Sequence, residues 1–192
     1  MSWKPAAIVG TFTIALSGAP LAVERIPRPV VPTDIEVSAD HKLFLVGHAV
    51  GTQNYICTPG STPSGYDWFF VGPQATVFDG DGRQILTHYQ SKNPFGTGAA
   101  LHARWQHSGD TSAVWATRRA GVFVTPDAIE WLLLDVSGAE VGPAGGTKVS
   151  GALLIQRINT VGGLKPPAAE CRAATVNSRR LVYYEADYYF YQ

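Results

Sequence analysis

From Leu181 to Tyr191 the side chains alternate. Val182, Tyr184, Ala186, Tyr188 and Phe190 make an apolar row, and Tyr183, Glu185, Asp187, Tyr189 and Tyr191 a row of acids and phenols. A period of two belongs to a β-strand with one face on the core, and it excludes a helix over this stretch. The rest of the chain agrees, because helical periodicity is nearly absent. Short β-branched and aromatic runs recur, separated by Gly, Pro, Asp and Asn. Strands are expected at 43–48, 53–58, 68–71, 75–78, 84–89, 113–118, 122–124, 131–136 and 148–158, with a Gly- and Pro-containing loop over 91–100. The Trp131–Val136 run is apolar enough to be buried on both faces. Many short strands at this spacing predict an all-β domain, either an antiparallel β-sandwich or a closed β-barrel.

Ahead of that domain stands a leader: Lys4, an apolar stretch from Ala6 to Leu16, then Ser17-Gly18-Ala19. This order of regions is that of a signal peptide, and the stretch is too short to span a ~30 Å hydrocarbon core as a helix. Cleavage is expected after Ala19 or Ala22; the alternative is a retained N-terminal strand or arm. The expected organisation is a signal peptide over 1–22, an extended proline-rich arm over 23–40 carrying Pro27, Pro29 and Pro32, and one all-β domain over 41–192. The expected location is secreted or cell-surface.

Export matters for the two cysteines, Cys57 and Cys171. In an oxidising compartment they are expected to form one disulfide, the alternative being two unlinked buried thiols. A bridge would close a loop of about 115 residues and contribute on the order of 4–5 kcal/mol by chain entropy. Two cysteines cannot complete a thiolate zinc site. Fifteen basic and fifteen acidic residues balance to zero, which disfavours nucleic acid as a partner. No later apolar run reaches membrane-spanning length.

No complete catalytic or cofactor signature is present. Asp79-Gly80-Asp81-Gly82 resembles the start of a calcium loop, but Arg83 and Gln90 occupy positions that require oxygen donors, so a tight turn is expected instead. The chain lacks a Gly-x-Ser-x-Gly nucleophile elbow and a glycine-rich dinucleotide fingerprint; no cofactor and no metal are expected. Two sets of residues remain. His88, with Arg104, Asp110 or Arg157 about the 91–100 loop, has the chemistry for general acid–base work. Tyr183, Glu185, Asp187, Tyr189 and Tyr191 offer phenols and acids on one strand face, suited to stacking and hydrogen-bonding a sugar; the same row suits a half-buried outer face or one covered by the N-terminal arm. Trp68, Trp105, Trp115 and Trp131 are expected in the core or its rim.

Several segments occur together in a known order: Gly51-Thr52-Gln53-Asn54-Tyr55-Ile56-Cys57-Thr58, Trp131-Leu132-Leu133-Leu134, Ile155-Gln156-Arg157-Ile158-Asn159-Thr160 with Gly162-Gly163, Cys171, and Tyr184 with Ala186-Asp187-Tyr188-Tyr189-Phe190-Tyr191. Over roughly residues 30–192 the chain resembles the exported family called domain of unknown function 3455. Members are often labelled malate dehydrogenase, and this chain gives that label no support, having neither a dinucleotide fingerprint nor alternating strand–helix units. Where members usually carry Pro-Thr-Trp and then an acidic-Gly-Ser stretch, this chain has Ala103-Arg104-Trp105 and Ser108-Gly109-Asp110. The resemblance implies no catalytic residues.

The resulting expectation is a secreted, non-enzymatic binding or surface-associated protein, with extracellular polysaccharide as the foremost partner class. The alternatives are a hydrolase or lyase centred on His88 and a structural or interaction protein without a small ligand. Oligomeric state is not legible.

Overall fold

A computed structural model describes Met1 and residues 26–192; apart from Met1, the expected leader lies outside the described residues. Eight strands follow one another: β1 (Leu43–Pro59), β2 (Tyr66–Phe78), β3 (Gln84–Lys92), β4 (Leu101–His107), β5 (Ala113–Val122), β6 (Trp131–Glu140), β7 (Leu154–Gly162) and β8 (Arg179–Tyr191). Each pairs antiparallel with the next, and β8 returns to β1, closing a barrel. Of the two architectures open from the sequence, this is the barrel. Closure pairs the backbone groups that an open sheet would leave at its edges.

The β8 alternation sorts residues between the inside and outside of this wall. Tyr184, Ala186, Tyr188 and Phe190 are buried in the barrel interior with Val77, Leu86, Trp105, Leu132, Leu134 and Ile155. Beside these aromatics β1 carries its smallest residues, with Gly47 opposite Tyr188, Ala49 opposite Ala186 and Gly51 opposite Tyr184. Gly51 is required by close approach: a Cβ there would lie 2.2 Å from the Gln74 carbonyl oxygen and 2.5 Å from Ala75 Cα. Two short runs flanking this glycine thus form one strand, because the residue that reads as a break is the one that lets β2 approach.

A second core lies outside the barrel. Residues 26–42 cross its flank, and Ile35 and Val37 cover Leu43, Leu133, Leu154, Ile158 and Tyr191. Within Trp131–Val136 burial on both faces holds at Leu132–Leu134, with Leu132 and Leu134 inside and Leu133 under the arm, while Asp135 turns outward to Arg119. Two polar side chains are sealed in with them. Gln156 Nε2 donates to the Ile35 carbonyl at 2.6 Å, and Tyr191 Oη donates to Gln156 Oε1 at 2.5 Å.

The expected disulfide joins Cys57 to Cys171, with Cα atoms 5.3 Å apart. It ties β1 to the β7–β8 connection, which also bonds Cys57 through Asn177 and Ser178. Trp68 and Tyr55 pack around it. Three differences from expectation stand out: β4 falls where no strand is expected, Phe123 and Val124 lie beyond the end of β5, and the start of β7 is shifted. Residues 148–153 form turns, and β7 runs on through Asn159, whose positive φ of 51° sits at a bulge rather than at the strand's end. At Asp79-Gly80-Asp81-Gly82 the Asp79 carboxylate is used by the turn itself, accepting from the Asp81 and Arg83 backbone N–H groups.

Candidate functional site

Inward-facing positions of a small barrel are normally apolar. Toward one end of this barrel four inward positions are not: Gln53 on β1, His88 on β3, Arg157 on β7 and the phenol of Tyr188 on β8. With Trp105, Phe70, Leu132 and Leu134 they line a cavity of about 420 Å³, to which Leu101 and Arg118 also contribute. That volume lies in the range of small-molecule sites. A wider, shallower depression of about 980 Å³ over β1–β3 shares Pro73, His88, Gln90 and Leu101 with it.

His88 is 3% exposed. Its Nδ1 lies 2.9 Å from the Arg104 carbonyl, which can only accept, so Nδ1 carries the proton and Nε2 the lone pair. The ring stacks on Trp105 at 4.1 Å and meets Tyr188 edge-on at 5.1 Å. Burial drives its pKa down to about 3, opposed by the Arg104 carbonyl and assisted by the charge of Arg157. The imidazole is therefore neutral at ordinary pH and presents an acceptor.

Arg157 donates through Nε and Nη2 to the Glu130 carbonyl, at 3.2 and 2.9 Å. The Glu130 carboxylate is taken by Arg118 at 3.1 Å. The charge of Arg157 is felt by Tyr55, Tyr184 and Tyr188, whose phenols burial holds above the ordinary range and whose ionisation Arg157 favours. Among the described residues no Asp or Glu lines the cavity.

Two donors complete the site. Gln53 Nε2 and Trp105 Nε1 are buried, their residues 3% and 1% exposed, and neither has a hydrogen-bond partner among the described residues. A buried donor left unpaired costs about 1–3 kcal/mol. Both residues line the cavity, whereas the third such donor among the described residues, Arg104 Nε, belongs to the outer side of the wall; an unpaired buried donor beside a cavity calls for a partner that the cavity can supply.

The residues proposed around His88 separate in space. Arg157 does reach the His88 cavity. Arg104 lies on the outer side of the wall, its guanidinium 4.6 Å from the Trp115 ring and 5.5 Å from that of Tyr89, with Glu140 at 3.6 Å. Only its carbonyl serves His88. Asp110 belongs to the β4–β5 turn, at the far end of β4 from Leu101, where it accepts from Ser112 and Lys148 backbone N–H groups. Adjacent positions on a strand face opposite ways, and a strand's two ends are far apart; closeness in sequence to the 91–100 loop overrode both facts. His102, also near that loop, turns its Nδ1 to Ser137 Oγ at 3.0 Å.

The outer row of β8 is likewise divided. Tyr183 donates to Glu185, and both are exposed. Asp187 is held by His48 Nδ1 at 2.6 Å and Asn159 Nδ2 at 2.8 Å. Tyr189 is half-buried and Tyr191 buried in the outer core, so the phenols at this end face the arm rather than solvent. Covering by the arm, one of the two arrangements open from the sequence, applies at Tyr191.

Gln53, Trp105 and Tyr188 were not singled out as site residues from sequence. The signal that would have found them is a polar atom at an inward position, which needs the barrel's in–out parity first.

The chain belongs to the family described as Protein of unknown function (DUF3455), whose model matches residues 38–192. Neither the curated proteins nor the solved structures yield a match to it.

Proposed function

We propose that this protein is an exported binding module that takes a small organic molecule into the mouth of its barrel and does not transform it. The observation that carries this reading is the pair of buried, unpartnered donors, Gln53 Nε2 and Trp105 Nε1, on a cavity of about 420 Å³. A disulfide and a barrel without free edges suit an extracellular carrier or receptor. Polysaccharide binding on the outer row of β8 has less support, because two of its three phenols are drawn into packing under the arm. Enzymatic use of the cavity is the second reading, favoured by the Nε2 of His88 on its wall. With a pKa near 3 that nitrogen is a weak base, better suited to accepting a hydrogen bond than to taking a proton.

The test is fluorescence titration with N-phenyl-1-naphthylamine, an uncharged aromatic probe that brightens in apolar sites. Saturable binding is expected to the wild-type protein. It should be lost in Ala103→Phe, which fills the cavity from a half-buried lining position, while the thermal midpoint stays within a few degrees. Binding left intact in a folded Ala103→Phe protein, or no binding at all, would overturn the reading.

A further inference from the structure

Resting on that reading, we infer that the ligand is an organic anion, an apolar body bearing a carboxylate or similar group, and that Arg157 receives its charge. The polar groups on the cavity wall are unbalanced: Gln53 Nε2 and Trp105 Nε1 are donors, the guanidinium is a cation, and no carboxylate faces them among the described residues. Among the described residues the other guanidinium groups either hold a carboxylate or, as with Arg28, Arg172 and Arg179, belong to residues exposed to solvent. Arg83, Arg104, Arg118, Arg119 and Arg180 each hold a carboxylate within 3.6 Å. Arg157 is half-buried on the cavity wall, donates to the Glu130 carbonyl and lies against the Tyr188 phenol, and among the described residues pairs with no carboxylate.

Water entering the cavity would solvate the guanidinium but would leave its charge without a counter-ion. An anion supplies that counter-ion beside two residues with donors to spare. The planar fork of a guanidinium suits a carboxylate in particular, since it offers parallel N–H groups to two oxygens. Around that polar end the wall is apolar and aromatic, with Phe70, Trp105, Leu132 and Leu134. Inorganic phosphate or chloride would leave these surfaces unused, so the geometry points to an amphipathic anion. His88 Nε2, the acceptor on the wall, adds a preference for a ligand that also carries a hydroxyl or N–H donor.

A matched pair of probes tests the charge separately from the cavity. 1-Anilinonaphthalene-8-sulfonate has the rings of N-phenyl-1-naphthylamine with a sulfonate added. The full-length protein is expected to bind the sulfonate about tenfold or more tightly than the neutral probe, the range of a charge-assisted contact. Arg157→Gln should bring the two affinities together without weakening the neutral probe, and Arg157→Lys should keep part of the preference. If Arg157→Gln fails to fold, the wild-type preference must still shrink with added salt while neutral-probe binding holds. Equal affinities in the wild type, or a preference untouched by Arg157→Gln, would overturn the anion inference and leave the cavity standing. Absence of neutral-probe binding, or binding of both probes undiminished by Ala103→Phe, would instead overturn the cavity reading beneath it.

Discussion

Two buried glutamines stand on opposite sides of the barrel wall and are treated in opposite ways. Gln156, 1% exposed, lies outside under the arm, and both ends of its amide are engaged, by the Ile35 carbonyl and the Tyr191 hydroxyl. Gln53, 3% exposed, lies inside near the mouth, and its Nε2 has no partner among the described residues. Burial alone does not separate them; satisfaction does. A fully paired buried amide closes a structural contact and specifies where the arm docks. An unpaired one beside a cavity lowers the stability of the empty protein and gains its partner when the cavity fills.

The sharpest way to break this comparison is Gln156→Leu. It leaves the Ile35 carbonyl and the Tyr191 hydroxyl unpaired in the outer core, so urea unfolding should show a loss of about 2–4 kcal/mol. A loss below about 1 kcal/mol would mean the arm docks by apolar packing alone.

Next in size is the pH dependence set by His88. Its folded pKa, about 3, lies below the ordinary value of 6.5, so between those limits the unfolded chain binds a proton that the folded protein excludes. The neutral imidazole's contribution is complete above pH 6.5 and is lost as pH falls, by about 2–3 kcal/mol between pH 7 and pH 4.5. Unfolding free energies of the wild type and His88→Gln should therefore converge, or cross, on acidification. Parallel pH curves for the two proteins would show that His88 titrates normally and is not sealed in the wall.

The smallest effect on stability, and the most telling, is expected from Gln53→Leu. Removing a buried donor that has no partner should change unfolding free energy by no more than about 1 kcal/mol, or raise it. Affinity for a polar-ended probe such as 1-anilinonaphthalene-8-sulfonate should fall all the same. A destabilisation matching that of Gln156→Leu would show that Gln53 is a structural residue, and the contrast would collapse.

How much of this was legible beforehand follows from the range of each signal. The inward row of β8 could be read residue by residue, because alternation on a single strand is a local property. The double burial at Leu132–Leu134 was readable for the same reason, from a run of three leucines after Trp131. The disulfide was accessible because two cysteines behind an expected export leader have one bridge open to them. By contrast, His88, Arg104 and Asp110 were grouped by their positions along the chain. In space one faces the lumen, one the outer surface and one the opposite end of β4. Gln53 and Trp105 were hidden from any reading of their own segments. A glutamine in a β-strand says nothing of whether its amide is paired until its neighbours across the sheet are known.

The sequence by itself determined the strand-rich class of this protein, the sidedness of its last strand, the pairing of its cysteines and its place in a family, since each rests on short-range periodicity, residue chemistry or ordered motifs. Tertiary structure alone decided that the sheet closes, which end keeps a cavity, that the arm seals Tyr191 away, and that Gln53, His88, Trp105, Arg157 and Tyr188 meet. Those five residues come from five strands, and only closure of the barrel fixes the register that turns them to one space.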